Sequence, residues 1–194
     1  MRRFRQHSTL RGYPMRITAL LLFLVLIISP CTGSCSQKGD SPGLTDREVT
    51  LLFGEFREVQ SFAMIAVSLV GDAEKIGLDA EELTRYAKSQ FKNHFSRIRY
   101  EDVSKDSARF LNLVASRDRK SGNLTFRVWV VGREYPVVYH IRCDAGNFEN
   151  PAIYTEEVMG HSSPGAASEA IKTILGEMIR EFSVIFFRVR GHEM

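Results

Sequence analysis

The chain has 194 residues, 44% hydrophobic and 25% charged, with 14 Gly, 6 Pro and 3 Cys, which excludes collagen-like, disordered and disulfide-scaffold proteins and suits one ordinary domain. Its formal charge of +3 is set by Arg2, Arg3, Arg5, Arg11 and Arg16, all ahead of the first acid, Asp40; beyond residue 35 the acids lead 23 to 21. A near-neutral body lacks the basic footprint of a phosphate-backbone binder, so nucleic acid is not an expected partner.

Residues 17–28, Ile-Thr-Ala-Leu-Leu-Leu-Phe-Leu-Val-Leu-Ile-Ile, form an uncharged run behind the basic stretch. The run is shorter than the about 20 apolar residues of a comfortable span. Its length, basic flank and small polar followers fit a secretory signal, and no polar residue gives it the second face of a buried core helix. Met15-Arg16 is a compact signal start by itself, so residues 1–14 are an extended leader or Met1 is not the true start. Two cysteines follow. Ile28-Ser29-Pro30-Cys31 has the aliphatic residue and spacing of a bacterial lipobox but sets Pro30 beside the cut. Thr32-Gly33-Ser34-Cys35 has the small residues but puts Thr32 in the aliphatic place. Lipid attachment at Cys31 or Cys35 is favoured over plain secretion, with a retained N-terminal anchor as the third reading. The expected division is a leader over 1–35, a flexible Ser/Gly/Pro tether over 36–44 and a single domain over 45–190. The third cysteine, Cys143, has no internal disulfide partner if the leader is cut, and reads as a small buried hydrophobe.

Thr45-Asp-Arg-Glu48 has capping-box spacing and opens a short helix to about Phe53, stopped by Gly54. Val59–Val70 is rich in β-branched and apolar residues, the pattern of a central strand covered on both sides. Asp79 with Glu82 caps a second helix whose Leu83, Ala87, Phe91 and Phe95 recur every four residues on one face, with Leu78 as a staple. Ile98–Val103 predicts a short strand. Phe110–Ser116 and Leu124–Val131 predict two strands joined through a Gly/Asn-containing hairpin loop, 117–123. Tyr135–Cys143 predicts the next strand. Pairing Gly132 with Tyr135 sets Val128 opposite Tyr139 and Phe126 opposite Ile141, which gathers the apolar side chains on one face. A strand near Tyr154–Val158 and a loop over 160–165 precede a helix opened by Ser163-Pro164. Ile171, Ile174, Leu175, Met178, Phe182, Ile185 and Phe186 form its apolar stripe, and the tail from Arg188 is expected to fray.

Together these elements predict an α+β two-layer sandwich: a mostly antiparallel sheet of about five strands with two main helices on one face. The strand, Ile76-Gly77-Leu78 with Leu83, the hairpin sheet and the closing helix with Glu181-Phe182 resemble a family of uncharacterised exported bacterial (lipo)proteins. Over about residues 56–187 the domain is similar to the small α/β domain at the N-terminus of TolB. The resemblance implies a fold and an envelope location, and it carries no activity or catalytic residue with it.

Enzymatic signatures are absent from the sequence: no Gly-x-Ser-x-Gly, His-Glu-x-x-His, phosphate loop or Cys-x-x-Cys occurs. His94, His140, His161 and His192 have no partner at metal-ligand spacing, and His140 and Cys143 fall on opposite faces of a strand. Neither a metal nor a cofactor is expected. Asp79, Glu81 and Glu82 suit a helix start, and Glu156-Glu157 reads as a solvated edge rather than an acid/base pair. If helices cover the face bearing Phe126 and Tyr139, the reverse face carries Thr125, Arg127, Trp129 and Val131 with Val138, His140 and Arg142. A single Trp among Arg residues is the composition of an interaction hot spot. The alternative is that the segment around Leu51–Phe56 covers Trp129.

The function expected is therefore that of an exported, non-enzymatic envelope protein, lipid-anchored in the periplasm or outer membrane. Its interaction face is Arg127, Trp129, His140 and Arg142, presented to an envelope protein. The alternatives are secretion or inner-membrane anchoring, and a small-molecule binder or enzyme with its site between the sheet and the 144–165 loop.

Overall fold

A computed structural model describes residues 44–191. The expected leader with Cys31 and Cys35, the tether up to residue 43 and residues 192–194 lie outside the described residues.

The first helix, α1 (Asp46–Phe53), is opened by the expected capping box: the Thr45 hydroxyl accepts from the Glu48 N–H at 3.3 Å and the Glu48 carboxylate accepts from the Thr45 N–H at 2.8 Å. A 3-10 turn over Gly54–Arg57 then drops Phe56 into the core. The strand β1 (Ser61–Gly71) leads to α2 (Ala80–His94). Asp79 caps α2 by accepting from the Glu81 and Glu82 N–H groups at 2.7 and 3.1 Å. The reciprocal bond expected of Glu82 is not made. Its carboxylate instead meets Lys172 at 2.8 Å, tying this helix to the last one.

The strand β2 (Arg99–Tyr100) follows, and next comes the largest departure from expectation: Ala108–Ser116 is a helix, α3, not a strand. The Ser107 hydroxyl caps it by accepting from the Phe110 N–H at 3.2 Å. Arg117, at φ 50°, closes it in the left-handed region, with the Asp118 N–H reaching back to the Leu113 carbonyl at 3.1 Å. Residues 117–123 are consequently no hairpin loop. The strand β3 (Ser121–Val131) enters the sheet parallel to β1, pairing Ile65 with Leu124 and Val67 with Phe126.

The strands β4 (Val137–Asn147) and β5 (Tyr154–Ser162) complete a sheet ordered β2-β1-β3-β4-β5. The pairs around β1 are parallel, while β3–β4 and β4–β5 are antiparallel. In the β3–β4 pair Val128 lies opposite Ile141 and Phe126 opposite Cys143, two residues from the expected register. The connection over 132–136 is longer than a two-residue turn, and Gly132 at φ 92° turns the chain there. A two-residue shift preserves side-chain parity, so every residue keeps its expected face. The last strand also runs beyond Val158, to Ser162. Gly160 fits inside it because the Tyr139 ring lies over it, 2.5 Å from where a Cβ would be.

The fold is thus α+β. The closing helix α4 (Pro164–Val189) and α2 cover one face of the sheet, and α1 packs on α4. Leu83, Ala87 and Phe91 of α2 are buried, as are Ile171, Leu175, Phe182 and Phe186 of α4. The tail does not fray at once. The Arg190 Nη1 donates to the Val59 carbonyl at 2.6 Å, its guanidinium lies 5.2 Å from the Phe186 ring centre, and Arg188 bonds Asp46. The strand β1 is internal but not covered on both sides: Ile65 and Val67 are buried while Ser68 and Val70 are exposed.

Phe182 sits where these layers converge, its ring centre 5.3–6.0 Å from those of Phe56, Phe62, Phe95, Tyr154 and Phe186. Phe182→Ala is expected to lower unfolding free energy by about 3–5 kcal/mol, because the neighbouring rings are held by a turn, two strands and two helices and cannot collapse into the hole. Leu51→Ala, at a position 82% exposed, should change it by no more than about 0.5 kcal/mol. Urea unfolding of both variants checks the contrast.

Candidate functional site

Strand alternation places Thr125, Arg127, Trp129 and Val131 of β3 on the face away from α2 and α4, with Val138, His140 and Arg142 of β4. All four candidate residues, Arg127, Trp129, His140 and Arg142, meet there. Trp129 is directly opposite His140 and stacks on it, ring centres 5.1 Å apart and planes 14° from parallel. The Arg127 guanidinium lies 5.3 Å from the indole centre, within cation–π range. The segment around Leu51–Phe56 does not cover Trp129. Phe56 is buried against Phe182 and Phe186, and Leu51 and Leu52 are exposed.

Four further residues extend the site. Along one row across the sheet lie Val70, Trp129, His140 and Met159; along the next lie Ser68, Arg127, Arg142 and Glu157. Val70, Val131, Val138 and Met159 are 39%, 69%, 38% and 74% exposed, so the apolar part of this face is open to solvent. The opening is confined to one end of the strands. Asn123, in the same alternation as Arg127, is buried and donates its amide to the Asn147 carbonyl at 2.9 Å.

The electrostatics follow from one awkward pairing. Arg127 and Arg142 are directly opposed, and like charges in that position repel. The conflict is relieved by drawing Arg142 aside: its Nε donates to both Asp144 carboxylate oxygens at 2.9 and 3.0 Å, and its Nη1 to Glu157 at 3.1 Å. These carboxylates hold the Arg142 guanidinium above its usual range. Glu157 also meets the His140 Nε2 at 3.3 Å. Among the described residues Arg127 has no salt bridge; its exposed guanidinium lies over the indole, and its charge also acts on the Asp144 carboxylate. Asp144 and Met159 lie just beyond the expected ends of β4 and β5, while Val70 and Glu157 lie inside expected strands whose pairing with β3 and β4 no turn signal announces.

Glu156 and Glu157 point to opposite faces. Glu156 is half-buried on the helix side and accepts from the Tyr154 hydroxyl at 2.7 Å; burial, with Glu181 and Glu177 nearby, pushes its carboxyl up. The solvated-edge reading holds for Glu157 alone. Cys143 is buried and its thiol is pushed well up by burial, consistent with a packing role. Among the described residues no group of three or more His, Cys, Asp or Glu side chains is placed to hold a metal ion.

The 144–165 segment is mostly strand rather than loop. Its six-residue connection folds tightly over Gly146, where a Cβ would stand 2.1 Å from the Asn150 carbonyl oxygen, and Asn147 Oδ1 accepts from the Glu149 and Asn150 N–H groups. Cavities of about 850 and 700 Å³ lie elsewhere, the first between α3 and Ser121, the second between α2 and Val67, and both open broadly to solvent. Among the described residues no helix is long and apolar enough to cross a membrane.

Comparison with known proteins returns no matching family model and no matching curated protein. Among solved structures, the PelC dodecamer from Paraburkholderia phytofirmans is similar at 8% identity and a TM-score of 0.41, covering 70% of this chain and 91% of that one. A point variant of the same PelC gives 8% identity and a TM-score of 0.42, over 63% and 87% of the two chains. These comparisons lend no support to the likeness to the TolB N-terminal domain.

Asp144 gives this face a pH signature. Burial works to raise its carboxyl, but the bonds from Arg142 and from the Thr155 hydroxyl at 2.7 Å outweigh it and hold the group below the usual range. Its folded-state pKa being the lower, its contribution to stability is complete above the unfolded aspartate range near 3.9 and is lost as pH falls through the folded value. Asp144→Asn is therefore expected to be less stable than the parent at pH 7, the gap closing below about pH 4. Urea titrations at pH 7, 5 and 3 check it.

Proposed function

We propose that the chain is an exported, lipid-anchored envelope protein without catalytic activity, and that it binds another envelope protein through the open end of its sheet. The observation that carries this reading is the ladder on the uncovered face. A half-buried Trp129 is braced by His140 and capped by Arg127, and exposed Val70, Val131, Val138 and Met159 surround it. A pre-stacked indole loses little conformational freedom on docking, and the flanking guanidinium is free to meet a carboxylate. The surface is flat and apolar with a charged rim, which suits a protein partner carrying acidic and apolar side chains better than a small molecule enclosed in a cleft.

The membrane half of the reading rests on the sequence alone. The apolar run over 17–28 precedes Cys31 and Cys35, one of which receives the lipid, and the tether over 36–44 gives the body reach from the bilayer. The periplasm or outer membrane is the proposed destination.

Both halves are testable in one strain. Metabolic labelling with an alkyne fatty acid should mark the wild-type chain and not the Cys31→Ser/Cys35→Ser variant, and unprocessed chain in the soluble cytosol would contradict export. In membranes, photo-crosslinking from residue 131, beside the indole, should yield a discrete adduct. Trp129→Ala should abolish it while changing stability by about 1 kcal/mol or less. Loss of the adduct together with loss of folding would instead make Trp129 a structural residue.

A further inference from the structure

The two edges of the sheet are handled in opposite ways. On the β2 side, where the edge strand is only two residues long, the backbone of β1 is stopped up. The Val67 N–H donates to the Thr84 hydroxyl at 3.0 Å, and the Glu101 and Val103 N–H groups donate to the Phe62 and Ala63 carbonyls at 2.9 and 2.7 Å. On the other side β5 offers nine residues paired only to β4, and among the described residues no other hydrogen bond reaches its backbone. It contains no Pro, Lys or bulge, devices that keep an edge from pairing with another chain. Its acids are already engaged, Glu156 by Tyr154 and Glu157 by Arg142 and His140. On its solvent face the most exposed large apolar side chain is Met159.

The geometry points to β5 as a self-association edge: two copies of this chain pair their β5 strands antiparallel about a two-fold axis through Met159. Strand parity requires the axis to pass through a residue, since an axis between residues would set solvent-side chains against helix-side chains. An axis at Glu157 opposes two carboxylates, and an axis at Val158 or Gly160 leaves Glu157 facing Met159 or Ser163. Only the Met159 register sets the two methionines together and faces each Glu157 with His161 of the second copy. The same register carries the Val70–Trp129–His140–Met159 row straight into its mirror row, so the open faces of the two sheets become one ten-stranded surface. A strand-edge contact is smaller than the ~1,200 Å² of a standard interface, so association is expected to be reversible.

The test uses the full chain with Cys31→Ser and Cys35→Ser, Cys143 being buried. Opposed Cβ atoms in an antiparallel pair lie about 4.5–5.5 Å apart, close to disulfide spacing. Mild oxidation of Met159→Cys should give a disulfide dimer. Thr155→Cys should not, because its two copies would stand about 27 Å apart. By sedimentation, His161→Glu should weaken association about fivefold, and adding Glu157→Lys should restore it. Equal crosslinking at both positions, or a folded Met159→Cys chain that stays monomeric at its highest soluble concentration, would overturn the proposal. The Trp129-dependent adduct is read separately, on the chain with Met159 and Glu157 intact, so failure of this interface and failure of the partner site are distinguishable.

Discussion

The rings of Phe56, Phe62, Phe91, Phe95, Phe182 and Phe186 come from a turn, a strand and two helices, and they meet in the space between the sheet and the helical layer. Phe91 and Phe95 stack at 4.2 Å, Phe62 lies 4.9 Å from Phe91, and Phe56 and Phe182 approach to 5.3 Å. All six are fully buried, each contributing roughly 1.5–3 kcal/mol of burial and a further increment from ring–ring contact. Because this aromatic layer draws α1, α2 and α4 to one side, the opposite side at the Trp129 end of the strands keeps no helix of its own. Candidate site and core are two consequences of the same one-sided packing.

The open side is not left disorganised. Strand pairing forces Arg127 against Arg142, and the arrangement of Asp144, Glu157, Thr155 and Trp129 around them resolves the repulsion without neutralising Arg127. That leaves one outward cation on a braced indole beside exposed aliphatic side chains. The Thr84 hydroxyl and a short strand close the β1 side of the sheet while β5 stays open.

Much of this was legible in the sequence where a signal was local. The Thr45 and Asp79 caps, the four-residue spacing from Leu83 to Phe95 and the broad stripe of the closing helix fixed three helices. Phe110–Ser116 misled because a short apolar run satisfies both strand and helix periods; the deciding groups, the Ser107 cap and a left-handed Arg117, lie just outside it. The parallel β1–β3 pairing joins segments far apart in the chain and leaves no turn signature. The β3–β4 register was displaced by two, yet Arg127, Trp129, His140 and Arg142 still shared a face, because parity survives an even shift. Asp144 and Met159 fell outside the expected strands since polar residues and a glycine disguised the full length of β4 and β5, and Glu157, legible as a solvated edge residue, had no signal for its pairing with Arg142.

The central claim is that the indole side of the sheet faces solvent, and the chain supplies its own probe, since Trp129 is its only tryptophan. Fluorescence quenching of the full chain by acrylamide, iodide and caesium reads that directly. Ready quenching by acrylamide, with iodide more effective than caesium because of Arg127, is the expected result. Emission that resists all three quenchers until the protein unfolds would mean the indole is enclosed, and would contradict the open face.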